Sequence, residues 1–410
     1  MQKTDVCIVG AGPGGATAAL FLASKGISSV LCDKAKFPRD KICGDALSGK
    51  TVSVLKKLDQ RILLELTASS IQVPSYGVKF FAPNNKFIRI PFLKNYPLEN
   101  AAPGFISKRI HFDNFLAEKV KAEPAIHFAE NTELKFFKRV NDEWLIGTSE
   151  REIVFVSKIL IAADGAHSQF ARQFGKIEMQ PEHYCAGIRA YYSGVKGMDD
   201  ENFIELHFMK DLLPGYFWIF PLPNGWANVG IGVRSDIVSK RKMNLRKLLP
   251  EIIEKNPVLY ERFSNAKLED EVRGYGLPLG SVKRKISGDG FMLLGDAASL
   301  IDPFTGEGIG NAMMSGMIAA DISSKAISEN NFSSDFFQKY DHEVYRKLWN
   351  ELSLSKRMQN LSRYGWLFNF VVNKAEKNKT VQETISCMFN DLNIRNRLRQ
   401  PSFYFKLLFN

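Results

Sequence analysis

The chain has 410 residues, 45% hydrophobic and 24% charged, with 55 Lys/Arg against 44 Asp/Glu and a formal net charge of +11. That length allows two or three hydrophobic cores, and the composition excludes a disordered chain. Five scattered cysteines, with neither CxxC pairs nor histidines at ligand spacing, exclude a disulfide framework and a zinc or other metal site, and no nucleic-acid module accompanies the positive charge.

The first predicted element is a strand, Val6-Cys7-Ile8-Val9, which runs into Gly10-Ala11-Gly12-Pro13-Gly14-Gly15 and an Ala/Leu-rich helical pattern. This glycine spacing suits a dinucleotide. Gly10 serves the tight turn, Gly12 lets the backbone approach a pyrophosphate, and Gly15 allows close packing of helix on strand. The helix beginning near Gly14, behind Pro13, points its unpaired N–H groups and positive dipole end at the phosphates. Eighteen residues beyond Gly15, the apolar run Val30-Leu31-Cys32 ends in Asp33, followed by Lys34. An acid there accepts from a ribose hydroxyl, as for NAD or the AMP half of FAD. Asp5 interrupts the apolar start, so no signal peptide is read, and no apolar run reaches the ~18 residues that span a bilayer. The expected location is the cytoplasm.

A loop follows, Phe37-Pro38-Arg39-Asp40-Lys41-Ile42-Cys43-Gly44-Asp45. Segments 76–92 and 183–234 alternate like antiparallel strands between Pro-Asn turns. Between them a helix is predicted from Arg109, with positions 112, 115, 116 and 120 on one apolar face. Hairpin strands over 134–156 lead to Ile159-Leu160-Ile161-Ala162-Ala163-Asp164-Gly165, and a further strand, Phe291-Met292-Leu293-Leu294, ends in Gly295-Asp296 before another helix. The expected organisation is a nucleotide lobe from 1–75, 100–175 and 280–330, interleaved with an antiparallel-sheet lobe from 76–99 and 176–279. A helical region over 331–410 completes it, and its last seventy residues carry twelve Lys/Arg against six Asp/Glu.

The glycine fingerprint, Ala163-Asp164-Gly165 and Gly295-Asp296-Ala297 occur in the order seen in the p-hydroxybenzoate-hydroxylase-type flavoproteins, which the chain resembles over nearly its whole length. The resemblance implies an α/β fold with a Rossmann-like FAD-binding lobe (GR2-type), an antiparallel-sheet substrate lobe, and FAD as the tightly bound cofactor. Asp296 is then expected to accept from a ribityl hydroxyl. The segment through Pro303, Gly306 and Gly308 opens a helix at Ile309 whose N–H groups face the flavin pyrimidine and favour the reduced, anionic ring. Arg109 matches a basic position near the FAD diphosphate. Within this group the chain is similar to the geranylgeranyl reductase family, on Pro38 to Asp45 and on Gly215-Tyr216-Phe217-Trp218-Ile219-Phe220-Pro221, which fits its YxWxFP pattern and precedes the Gly-rich strand Asn228-Val229-Gly230-Ile231-Gly232.

Tyr216, Trp218 and Phe220 share one face of their strand, read either as a flat wall suited to an isoprenoid or as rings that fill the core between the sheet and the flavin lobe, while Phe217 and Ile219 point the other way. The expected reaction is hydride transfer from N5 of reduced FAD to a carbon–carbon double bond of a polyprenyl (geranylgeranyl-type) lipid or quinone tail, a proton going to the neighbouring carbon. Cys43, Tyr216 and Trp218 are the candidate catalytic residues. Cys43 and Gly44, with Asp45, belong to the loop that approaches the flavin ring, and Cys43 is read either as tuning the flavin or aiding proton delivery, or as an inert thiol. Arg39 and Lys41 suit the cofactor diphosphate, a substrate head group, or solvent. No second GxGxxG with a strand-ending acid follows, so the electron donor stays open between NADPH, NADH and reduced ferredoxin, as does the oligomeric state. The aromatic and basic segments 364–372 and 403–409 suit either peripheral contact with an anionic membrane or packing back on the sheet lobe. The competing readings are a flavin monooxygenase or halogenase acting on an aromatic or polyketide-like molecule, against which the halogenase WxWxIP signature is absent, and a non-catalytic flavin- or lipid-binding protein.

Overall fold

In the computed structural model, residues 1–92 and 102–377 are described. Strands Gln2–Val9, Ser29–Cys32, Ile126–Ala129, Glu152–Ala162 and Phe291–Leu293 form a parallel sheet. Its centre is Gln2–Val9, flanked by Ser29–Cys32 and Glu152–Ala162, and Phe291–Leu293 follows Glu152–Ala162 on the outer side. Val6 to Val9 and Val30 to Cys32 are buried without alternation, as parallel strands covered on both faces must be. Strands Phe136–Val140 and Glu143–Ser149 extend it antiparallel from Glu152–Ala162.

Helix Pro13–Ser24 covers this sheet and is itself covered by helix Ile309–Ser328. Ten of its twelve residues are buried, which explains its nearly uniform apolar composition. The two helices approach through glycines. A Cβ on Gly316 would lie 2.4 Å from the Gly14 carbonyl oxygen, and one on Gly14 would lie 3.1 Å from that of Ala312.

A second sheet of eight described strands runs Lys267–Leu268, Tyr184–Ser193, Trp226–Arg234, Tyr216–Leu222, Ile204–His207, Gly77–Phe81, Phe87–Pro91, with Arg273–Pro278 also paired to Tyr184–Ser193. Its neighbours are antiparallel except Ile204–His207 with Gly77–Phe81. Helices Ser235–Lys240, Leu245–Lys255 and Pro257–Phe263 follow the strand-like segment 183–234 within the 176–279 stretch assigned to the sheet lobe. Leu245, Leu249, Ile253 and Leu259 cover the back of the sheet against Phe217, Ile219, Val229 and Ile231. The opposite face carries Trp218 and Phe220 with Tyr216 beside them, so the alternation read from the sequence is present in space. Helices Ser334–Leu361 and Gly365–Lys377 follow. The second of these packs Phe368, Val371, Val372 and Ala375 onto the aromatic face. The packing-back reading therefore holds for this helix, whereas segment 403–409 lies outside the described residues. No described helix is long and apolar enough to cross a membrane.

Candidate active site

The sequence motifs meet at the C-terminal edge of the parallel sheet, where open α/β folds place ligands. Val9 pairs with Ala162 and Cys32, and Ala162 with Leu293, so Gly10, Ala163 and Asp33 leave adjoining strands, with Gly295 one residue beyond Leu294. Gly10 has φ +99°, and a Cβ on it would sit 2.4 Å from the Ala163 carbonyl oxygen. Gly15 is tighter still, its Cβ falling against the Gly10 carbonyl. Gly12 differs: the nearest atom to its Cβ position is Arg39 Nη2 at 3.8 Å, which leaves a bare backbone beneath a guanidinium. Helices Pro13–Ser24 and Ile309–Ser328 both start without a side-chain cap, and the Gly14–Ala312 contact sets their positive ends side by side.

Asp33 is buried and accepts from the Ala11 N–H through Oδ2 (2.9 Å) and the Ala35 N–H through Oδ1 (2.9 Å), while Lys34 is exposed. Arg39 bridges Asp33 (3.4 Å) and Asp113 (2.9 Å). Arg109 is buried in a bidentate pair with Asp113, at 2.6 and 2.7 Å. Burial disfavours its charge, but Asp113 more than offsets this and pushes its pKa up. Arg109 also lies against the Cys43 thiol. The cation over Gly12 is thus Arg39, and Arg109 supports it through the shared Asp113.

Asp164 has one buried carboxylate oxygen, Oδ1, with no partner, and burial lifts its pKa to about 6. Gly165 follows at φ +83°. Asp296 pairs with Lys41 Nζ at 2.9 Å. In the loop before helix Ile309–Ser328, Asp302 Oδ1 accepts from the N–H groups of Phe304 and Thr305 and from the Thr305 hydroxyl, the Pro303 carbonyl accepts from Gln359, and Gly306 takes φ +75°. Beside Gly308, Asp296 Oδ1 lies 3.6 Å from a Cβ position, and Ile309 begins the helix. The bare Gly12, the paired helix ends, Arg39 and the unpartnered Asp164 oxygen fit a dinucleotide with an anionic middle, as FAD has.

The aromatic wall stands beside this edge. Tyr216 donates to the Thr305 carbonyl (2.7 Å), and Gly306 approaches its hydroxyl. The Trp218 indole lies over Gly230, whose Cβ would fall 2.3 Å from the ring, and Phe220 lies 3.0 Å from a Cβ position on Gly44. The Gly-rich strand therefore makes room for an indole. Phe208 extends the wall, with ring centroids 5.6 Å from Tyr216, 5.4 Å from Phe304 and 4.4 Å from Phe368.

Beside the wall, on the same face of the sheet, is a polar knot that motif reading missed. Asp45 has φ +70° and is fully buried. Its Oδ2 accepts from Tyr191 (2.8 Å) and Asn228 (2.8 Å), and its Oδ1 from the Arg109 N–H (3.3 Å). Its carboxylate is filled by protein donors from the sheet and a helix start, so it ties the loop down. Burial drives its pKa up to about 6 although Asn228 and Tyr191 pull the other way. Asn228 also donates to the Cys43 carbonyl (2.8 Å) and accepts from Trp218 Nε1 (2.9 Å). A buried Asn amid apolar and glycine residues of one strand was the available signal for this knot. Cys43 itself is half-buried.

Comparison with known proteins agrees with this geometry. The profile described as FAD binding domain matches residues 3–188, and that described as geranylgeranyl reductase catalytic domain matches residues 184–269. A digeranylgeranylglycerophospholipid reductase of Thermoplasma volcanium is 31% identical over 84% of this chain and 84% of its own, and that of Methanocaldococcus jannaschii is 30% identical over 87% of each. Among solved structures, a geranylgeranyl bacteriochlorophyll reductase-like protein of Thermoplasma acidophilum superposes with a TM-score of 0.81 at 24% identity, covering 97% of this chain and 99% of that one. A flavin-dependent brominase reaches 0.76 at 20% identity over 99% and 100% of the two chains, a likeness of fold alone. With an FAD binding domain followed by a geranylgeranyl reductase catalytic domain, the chain belongs to the geranylgeranyl reductase family of FAD-dependent oxidoreductases.

Proposed function

We propose that this enzyme saturates carbon–carbon double bonds in the prenyl chains of a digeranylgeranylglycerophospholipid-type lipid, which it meets at a membrane surface. The observation that carries the reading is the row of Tyr216, Trp218 and Phe220, extended by Phe208 and Phe304, beside the FAD edge of the parallel sheet. Flat apolar rings suit a methyl-branched chain and exclude water from it, and the half-buried Tyr216 is the member of the row that such a chain would meet first.

Gly10, Gly12, Pro13, Gly14 and Gly15 supply the backbone cradle for the cofactor diphosphate, and Arg39 supplies its charge partner. Asp33 would serve the ribose and Asp296 the ribityl chain, Asp164 offers its unpartnered oxygen nearby, and the start of helix Ile309–Ser328 would face the pyrimidine end. When bound and reduced, FAD would supply a hydride to one carbon of the double bond, and the neighbouring carbon would take a proton drawn from solvent. Tyr216 keeps its phenolic proton on the Thr305 carbonyl, and burial pushes its pKa up, so it acts by position and shape. Trp218 is fixed through Asn228, and Cys43 is carried on the same knot. A two-electron supply from a nicotinamide or a reduced iron–sulfur protein closes the cycle.

The test is anaerobic. FAD-loaded protein is reduced with dithionite and mixed with detergent-dispersed digeranylgeranylglycerophospholipid, while flavin absorbance and lipid mass are followed. Flavin reoxidation with a gain of two hydrogens per double bond is expected. A flavin that stays reduced until oxygen enters, and then oxygenates an added aromatic compound, overturns the proposal in favour of a monooxygenase.

A further inference from the structure

One surface of the molecule combines exposed apolar side chains with an excess of cations, and neither component takes part in the site above. At the corner between helices Ser334–Leu361 and Gly365–Lys377, Leu361, Tyr364 and Trp366 are 43%, 54% and 68% exposed. Arg357 and Arg363 flank them in the open. The second component is distant in sequence. Between Asp236 and Glu251 the chain carries Lys240, Arg241, Lys242, Arg246 and Lys247 with no acid, and all five are exposed.

The segment 209–215 joins the two. Arg241 Nη1 donates to the Asp211 carbonyl (3.1 Å), Ser362 Oγ donates to the Pro214 carbonyl (3.4 Å), and the Leu213 side chain fills the space beside Gly365. Asp236, on the basic side, is held below the usual carboxylate range by Arg234 first, with Arg363 from the aromatic corner contributing. The cations and the exposed rings thus form one patch, in which Asp236 is already paired with Arg234 and Asp211 is exposed.

This patch adjoins the aromatic wall by two routes. Pro214 and Gly215 lead directly into Tyr216, and the helix that presents Trp366 outward turns Phe368 inward onto Phe208, which contacts Tyr216. We infer that this corner is the docking foot of the enzyme on an anionic bilayer, with Trp366, Tyr364 and Leu361 entering the head-group region and the 240–247 cations lying on the lipid phosphates. Tryptophan and tyrosine favour that depth, and cations close to an anionic surface add to binding. The inference rests on the lipid-substrate reading and places the docking corner next to Tyr216, since Phe368 and Phe208 link the two by direct ring contacts.

The test uses the full-length FAD-loaded chain and vesicles of phosphatidylcholine alone or mixed with phosphatidylglycerol. Sedimentation with the mixed vesicles is expected, and bromine-labelled lipid is expected to quench tryptophan fluorescence in the wild type but not in W366F. The triple variant K240Q/R241Q/K242Q should lose affinity for the mixed vesicles by on the order of a hundredfold, from about 1 kcal/mol per cation at the surface. Its turnover on detergent-dispersed lipid should be unchanged. Wild-type binding that ignores phosphatidylglycerol, or a triple variant that binds normally, overturns the inference. So does a wild type that ignores vesicles while the triple variant loses activity only with an acidic protein reductant, which assigns the patch to a protein partner. Vesicle binding needs no turnover, so these outcomes can be read even if the substrate proves not to be a prenyl lipid.

Discussion

The substitution Asn228→Asp probes the knot beside the aromatic wall while leaving its shape intact. It preserves the acceptor for Trp218 Nε1 but replaces the donor that Asp45 Oδ2 and the Cys43 carbonyl receive at 2.8 Å with a second acceptor. In the wild type, Asp45 already sits at about 6 against an ordinary 3.8 because of burial. Keeping that carboxylate charged above pH 6 therefore costs on the order of 3 kcal/mol. Two carboxyls in the same fully buried contact cannot both ionise, so the folded variant retains a shared proton well above pH 6. The unfolded chain releases its protons near pH 4. The folded state thus binds more protons across the interval, and its stability falls as pH rises through it. N228D should melt close to the wild type at pH 5 and clearly below it at pH 8, with a deficit of about 3 kcal/mol or more. Turnover should follow the same profile, whereas N228L should be impaired at both values because it strands the Trp218 N–H and the Cys43 carbonyl. A melting deficit for N228D that is the same at pH 5 and pH 8 would refute the reasoning.

Gly316→Ala should force helix Ile309–Ser328 away from Pro13–Ser24, because its Cβ would meet the Gly14 carbonyl at 2.4 Å. Overpacking of this kind costs about 1–3 kcal/mol, and since both helix starts face the cofactor, a lower melting temperature should accompany weaker FAD retention in fluorescence titration; unchanged values for both would count against the shared cradle. Arg39→Gln removes the cation above Gly12 but leaves Asp113 paired to Arg109. The apoprotein should fold normally while the FAD dissociation constant rises about 10- to 100-fold, as for loss of a charge-assisted hydrogen bond; an unaltered constant would show that Arg39 does not face the diphosphate.

The legible parts of the sequence were those in which a short local pattern encodes a long-range role. Gly10, Gly12 and Gly15 each have a distinct steric duty that their spacing announces, and the alternation of residues 216–220 states which rings share a face. Asn228 and Asp45 were harder because their meaning lies in a pairing across 183 positions, and each alone is an ordinary polar residue in a strand or loop. Gly316 was hidden for a related reason, since a glycine inside a helix signals a close approach but does not name the partner helix. The helices at 235–263 followed an antiparallel run, and their apolar spacing at 245, 249 and 253 was overshadowed by the surrounding sheet pattern.

The loop from Phe37 to Asp45 shows how charge order in a sequence can report which side of a seam each residue serves. Arg39 and Lys41 turn toward acids of the parallel-sheet lobe, pairing with Asp33, Asp113 and Asp296. Asp40, between them, turns the other way and pairs with the buried Arg189 of the antiparallel sheet at 2.6 Å. Alternation of this kind is what an extended segment must show when it is clasped from both sides. The same segment then ends in Asp45, held by Tyr191 and Asn228 from the antiparallel sheet and by the Arg109 N–H from the nucleotide side. Each lobe therefore grips the loop independently, and Cys43 and Gly44 are fixed between the two grips. A change in either grip should move Cys43 and Gly44 before it unfolds either sheet, and on the proposed reading this loop would couple cofactor binding to the aromatic wall.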